Sequence, residues 1–210
     1  MAQFKPTHIM IHHSATEQGN ADIFRRYHMS KGWRDIGYHF VICNGNGGKD
    51  GEIQKGRAET EAGAHCLEGN MNQKALAICL VGNFDDHKPS NAQYQSLVKL
   101  TRELMKKYNI PIDNIVMHRQ YAINKATGKP YKSCPGWAFD LDEFKKMVIK
   151  EEVIELFKDI EGHWAKSSIE RLAQLGIIRG DEQGNFNPDR PITRAEVVVL
   201  LDRLLKLLGR

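Results

Sequence analysis

Three separated stretches of the chain carry side chains that bind transition metals. The stretch THIMIHH, residues 7 to 13, ends on His12 and His13, and the short NIVMH ends on His118. Cys134 follows inside the longer segment YKSCPG, with Lys132 two residues before it and Pro135 directly after. Two neutral imidazoles and one thiolate, with a fourth position open to water, form the donor set of a catalytic zinc; a structural zinc is closed by a fourth protein ligand. Spacing alone leaves this reading beside a plainer one, in which the three are separate core or surface residues.

For these residues to meet, strands must end on one rim of a sheet. THIMIHH alternates and is β-rich, so it reads as a strand. NADIFRRYHMSKG reads as a helix, with Asn20 as its cap and Gly32 as its stop. YHFVIC is a second strand, turned through the Gly/Asn-rich residues 44 to 51 into EIQKG, which predicts a hairpin. ALAICLVG, residues 75 to 82, is a continuous apolar run, as expected of a central strand covered on both faces. Tyr94, Leu97, Val98, Thr101, Leu104, Met105 and Tyr108 recur at helical spacing and predict a packing helix over about 91–108. Residues 119–137 read as a long loop, and DLDEFKKMVIK as a closing helix.

The expected fold class is therefore α/β: a mixed central β-sheet flanked by helices over residues 1–150. A small all-α helix-loop-helix module is expected over 151–210. Its first helix should end at Gly176, and its second should start at Thr193, where TRAE forms a capping box. Val197, Leu200, Leu201, Leu204, Leu205 and Leu208 give the second helix an apolar stripe.

Composition narrows the function. Residues 1–150 hold 21 Lys+Arg against 15 Asp+Glu, and residues 151–210 hold 9 against 11, which together give the net charge of +4. A modestly basic front half suits an anionic polymer such as bacterial cell wall; it is too weak and scattered for nucleic acid. Cys43, Cys66, Cys79 and Cys134 form no paired CxxC motif, so reduced thiols are expected rather than a disulfide framework. No secretory signal or membrane-spanning stretch is read in the sequence, so synthesis in the cytoplasm is expected, with no membrane partner.

The stretches IHHSAT, GWRDIGYHFVI, AGAHCLEGNMNQKALAICLVGNF, VMH and KSCPGWAFDL resemble, in order, the type 2 zinc-dependent N-acetylmuramoyl-L-alanine amidases. That family includes phage amidase-type lysozymes and is related to the peptidoglycan recognition proteins. Carried over residue by residue, the resemblance implies that His12, His118 and Cys134 ligate Zn²⁺ and that Tyr38 and Lys132 are catalytic. It implies hydrolysis of the amide between N-acetylmuramic acid and L-alanine of the stem peptide, with peptidoglycan as substrate. His65, in AGAH, resembles a position near the substrate groove. His13 neighbours a ligand but should point to the opposite face of a regular strand; it is kept as a candidate substrate contact. His39 reads as structural.

Residues 157 to 205 resemble one S-layer homology repeat, through the elements HWA, GIIRG, GNFNPD and ITRAE. The resemblance implies binding of secondary cell-wall polysaccharide, with Arg194 as candidate for an acidic sugar group and Trp164 as a stacking surface. A lone repeat has little core of its own, which motivates an expected homo-oligomer through this module. The leading expectation is a phage or prophage endolysin of a Gram-positive host, acting on the wall after holin-dependent release or lysis. The alternatives are a cytosolic amidase that recycles muropeptides and a peptidoglycan-binding protein without activity.

Overall fold

The computed structural model describes residues 4–207, the side chains at 151–156 and 174 aside. Five strands, β1 (His8–His13), β2 (Phe40–Ile42), β3 (Ile53–Lys55), β4 (Ala75–Leu80) and β5 (Ile115–Met117), form one sheet in the order β3-β2-β4-β1-β5. β1 runs parallel to β4 and β5, β2 runs parallel to β4, and β3 lies antiparallel to β2 across the Gly/Asn-rich turn. The same unit carries α1 (Ala21–Ser30), α2 (Asn91–Tyr108) and the start of α3 (Leu141–Leu156). The expected α/β class is the observed one.

Burial explains the sheet order. Every residue of β4 is fully buried, so the apolar run ALAICL occupies the middle of the sheet, where both faces are covered. On the face that carries His12, two apolar clusters form. One joins Ala21 and Phe24 of α1 to Ile36, Val41 and Cys79, and the other joins Met10, Met71, Ala75 and Val116. The helix starts follow from local chemistry. The Asn20 side chain accepts from the Ile23 amide at 2.8 Å, and Ser90 and Gln93 form a reciprocal capping box at the start of α2.

His39 is built into the sheet margin. Its Nδ1 accepts from the Ala77 amide at 2.9 Å, its Nε2 faces the Glu61 carbonyl at 2.9 Å, and burial lowers its pKa to about 4. The unfolded chain takes up this proton near the ordinary histidine value of about 6.5, so it binds more protons than the folded chain between the two values. Stability should therefore fall as pH drops from about 6.5 to about 4, by up to about 1.4 kcal/mol per pH unit from this group. Urea unfolding at stepped pH checks this. His39→Asn keeps an acceptor but cannot titrate there, so its slope should be shallower; an equal slope would remove His39 as the cause.

The chain divides into two compact units, residues 1–145 and 146–210, and the division falls inside α3 rather than at the change of composition near residue 151. Residues 141–156 contain neither Gly nor Pro, so nothing in them breaks the helix where the composition shifts. The second unit contains α4 (Lys166–Gln174) and α5 (Arg194–Leu207). Its core is Phe157, Ile160, Ile169, Ile177 and Ile178, with Leu200 packed against it. The capping box forms: the Thr193 amide donates to Glu196 at 2.8 Å, and the Glu196 amide donates to the Thr193 hydroxyl at 3.2 Å. The expected apolar stripe of α5 is not a buried one in this unit. Val197, Leu201, Leu204 and Leu205 are exposed and Leu208 lies outside the described residues, since so small a helical unit has too few side chains to cover them.

Candidate metal centre

The strand register brings the two histidines together. Ile11 pairs with Met117 across β1 and β5, so the next residue on each side, His12 and His118, stand level, with ring centroids 4.7 Å apart. Period-two alternation aims His12 at one face of the sheet and His13 at the other. There the Nδ1 of His13 accepts from the Phe84 amide at 3.2 Å, away from the centre.

Cys134 reaches the same point from the loop after β5. Its Sγ lies 3.5 Å from His12 Nδ1 and accepts from the His13 amide at 3.4 Å. Arg119 holds this loop down. Its guanidinium donates to the carbonyls of Ser133 (3.3 Å), Gly136 and Phe139 (3.0 Å), and its own amide donates to the Cys134 carbonyl at 2.8 Å. Asp85 ties the other side, accepting from the Ser133 hydroxyl at 3.1 Å and the Trp137 amide at 3.3 Å. Gly136, at φ 105°, passes so close to Phe84 that a Cβ would lie 2.2 Å from its backbone. Arg119 and Asp85 were not singled out by sequence reasoning. The only signal was their adjacency to His118 and to the end of the central apolar run.

One donor atom from each of His12, His118 and Cys134 lies within 4.8 Å of the other two. The buried Nε2 of His118 has no hydrogen-bond partner, an orphaned polar atom of the kind a bound cation would satisfy. Burial lowers the pKa of His12 well below the ordinary value and that of His118 to about 4, so both rings are neutral near pH 7, as metal ligands must be. Burial pushes the Cys134 thiol up to about 12. Two imidazoles and a sulfur, all converging, fit zinc. A second trio, Cys66, Glu68 and His118, shares the same histidine, but its Glu68 already accepts from the Tyr131 hydroxyl.

Tyr38 stands against the centre, its ring 5.3 Å from that of His12. Burial, then the neighbouring sulfurs of Cys79 and Cys134, raises its pKa well above the ordinary phenol value, so it is a neutral hydroxyl donor. Lys132 projects into an open groove of about 510 Å³ whose walls include Trp33, Arg34, Arg57, His65 and Glu68. Its positive charge helps to depress His118 and to lower the Cys134 thiol against burial. His65 lines the groove and also touches the centre, its Nδ1 lying 3.1 Å from His12 Nε2.

In the second unit Trp164 is 91% exposed, so it is a surface residue and not a core one. Arg194 is exposed at the first turn of α5. The ion pair with Glu196 is made by Arg190. A groove of about 590 Å³ in this unit is lined by Arg179, Phe186, Arg190, Ile192 and Arg203 among others, and by neither Arg194 nor Trp164.

A mixed sheet that brings two histidines and a cysteine together beside a groove lined by Arg34, Arg57 and Lys132 is the arrangement of a hydrolase scaffold with a candidate metal site at its rim. The N-acetylmuramoyl-L-alanine amidase family profile matches residues 2–137, and the chain belongs to that family. The endolysin of Escherichia phage T7 is 33% identical over 141 residues, covering 63% of this chain and 81% of that protein. The solved N-acetylmuramoyl-L-alanine amidase LysC from Clostridium intestinale superposes with a TM-score of 0.59 at 30% identity, over 70% of this chain and 90% of LysC. An S-layer homology domain profile matches residues 156–198. A cellulosome-anchoring protein of Acetivibrio thermocellus is 41% identical over 66 residues, which are 31% of this chain and 15% of that protein. Among the described residues, no helix is long and apolar enough to cross a membrane.

Proposed function

We propose that this chain is a peptidoglycan amidase of the endolysin type, hydrolysing the bond between N-acetylmuramic acid and L-alanine with zinc held by His12, His118 and Cys134. The observation that carries the reading is the convergence of those three donors, distant in sequence, beside a groove lined by Lys132. Zinc, when bound there, supplies Lewis acidity and lowers the pKa of water to about 7.

The chain's own groups do the rest. The attacking water adds its oxygen to the lactyl carbonyl carbon and gives up a proton, the carbon–nitrogen bond breaks, and the L-alanine nitrogen takes up one proton in turn, so that a carboxyl group and a free amine result. Lys132, cationic and in the groove, faces the oxygen on which negative charge develops and stabilises it. Tyr38, kept protonated by its surroundings, donates a hydrogen bond that orients the water or the carbonyl and can pass its proton toward the leaving amine. Arg119 and Asp85 keep the loop bearing Lys132 and Cys134 in register with the sheet.

Soluble muropeptides need no wall anchor, so the second unit favours action on intact wall over recycling. In this reading it takes secondary cell-wall polysaccharide, with exposed Trp164 offering an aromatic face to a sugar and Arg194 a guanidinium to an acidic group. The wall is reached after release from the producing cell.

Purified protein should clear peptidoglycan and expose new amino termini on L-alanine without releasing reducing sugar. Chelation by EDTA should abolish the activity and added Zn²⁺ restore it. New reducing ends would refute the bond assignment, and activity unaffected by chelation would refute the metal assignment.

A further inference from the structure

His12 needs a free lone pair on Nδ1, the atom 3.5 Å from the Cys134 sulfur, if it is to serve the centre. A neutral imidazole carries its one proton on either nitrogen, and the tautomer is set by the partner of the other nitrogen. That partner is His65. Its Nδ1 lies 3.1 Å from His12 Nε2, and the two rings meet edge to face, 5.0 Å between centroids at 80°. The far nitrogen of His65, Nε2, faces the carbonyl oxygen of Ala75 at 3.3 Å. A carbonyl only accepts, so His65 carries its proton on Nε2 and presents a lone pair at Nδ1. His12 must then donate from Nε2, which leaves its Nδ1 bare.

We propose that His65 is a positioning residue for the metal ligand His12, fixing through a carbonyl–His65–His12 chain the tautomer and ring angle that point Nδ1 into the centre. The inference rests on the metal reading above.

The surroundings of His65 are those of a fixed ring. Asn72 Oδ1 accepts from the His65 and Cys66 amides at 2.7 and 2.8 Å and sets the backbone. Beneath the ring sits Gly63, where a Cβ would lie 2.4 Å from His65 Cδ2 and 2.9 Å from Nε2. The carbonyl comes from Ala75, the first residue of β4, so the chain ends on a strand that is buried along its whole length. Outer partners of this kind typically change metal affinity by about 10- to 100-fold.

The test is zinc affinity, measured on the full chain by competition with a chromophoric chelator. His65→Leu removes the acceptor and should weaken zinc binding by about 10- to 100-fold, while His65→Asn, whose Oδ1 can occupy the place of Nδ1, should recover most of that loss. His65→Leu with wild-type zinc affinity and a raised KM would make His65 a groove contact and overturn the proposal. Equal losses in both variants would also overturn it, since a merely structural ring gains nothing from a retained acceptor. If His65→Leu does not fold, long-range proton–nitrogen correlation spectra of the metal-free wild-type protein decide. His12 should carry its proton on Nε2, and a proton on Nδ1 would overturn the assignment. Wild-type protein that takes up no zinc would instead sink the metal reading, and the positioning role with it.

Discussion

Cys134→Ser should leave a folded protein that no longer retains zinc. The sulfur is the one donor of the trio that becomes anionic when it binds a metal, and the strands that supply His12 and His118 do not depend on it. Serine is shorter, stays neutral near pH 7 and is a poor zinc ligand, so two imidazoles would be left to hold a divalent ion. The loss of affinity should exceed the about 10- to 100-fold typical of outer-sphere partners. Metal content after dialysis should fall from about one zinc per chain to near zero, with wall-clearing activity falling in parallel. Far-ultraviolet circular dichroism should be unchanged, because the loop is also held by Arg119 and Asp85. Cys134→Asp should recover part of the zinc, since a carboxylate also ligates that ion. A serine variant with full metal content would place the centre elsewhere, and the Cys66, Glu68 and His118 trio would be the next to examine.

Lys132→Ala separates holding the metal from using it. Lys132 is exposed on the groove and is not among the three donors, so zinc content should stay at the wild-type level. What is lost is a cation facing the oxygen that gains charge as the tetrahedral carbon forms. Removing one such stabilising group typically costs about 100- to 1000-fold in rate, or about 3 to 4 kcal/mol of transition-state stabilisation. The loss should appear in kcat and kcat/KM alike, as expected of an interaction made mainly in the transition state. Full activity in the alanine variant would remove Lys132 from the mechanism. Loss of zinc together with rate would show that its role is in the architecture of the loop.

The candidate site was legible in the sequence as residue types, and its contacts are ones the sequence does not display. His12, His118 and Cys134 stood out as metal-binding residue types, and Tyr38 and Lys132 through the ordered motifs that resemble the amidase family. His13 and His12 are adjacent, and only the period of a real strand decides which of them reaches the centre; the other is bound to the Phe84 amide. His65 was visible as a groove residue, yet its hydrogen bond to His12 spans 53 positions and depends on where residues 68–73 return the chain to β4. Arg119 acts on backbone carbonyls, and Asp85 on the Trp137 amide and the Ser133 hydroxyl, contacts that residue type alone does not announce.

Helix starts, the hairpin and the buried central strand were determined by the sequence itself, because a cap, a Gly/Asn turn or an apolar run acts within a few residues. The division inside α3 and the exposure of the α5 stripe were decided in three dimensions, by which surfaces find a partner. So was the candidate metal centre. Parallel pairing of β1 with β5 sets His12 level with His118, and a loop clamped by Arg119 delivers the sulfur between them. Local interactions choose elements over short separations; a centre built from residues more than a hundred positions apart exists only once the sheet has fixed its register.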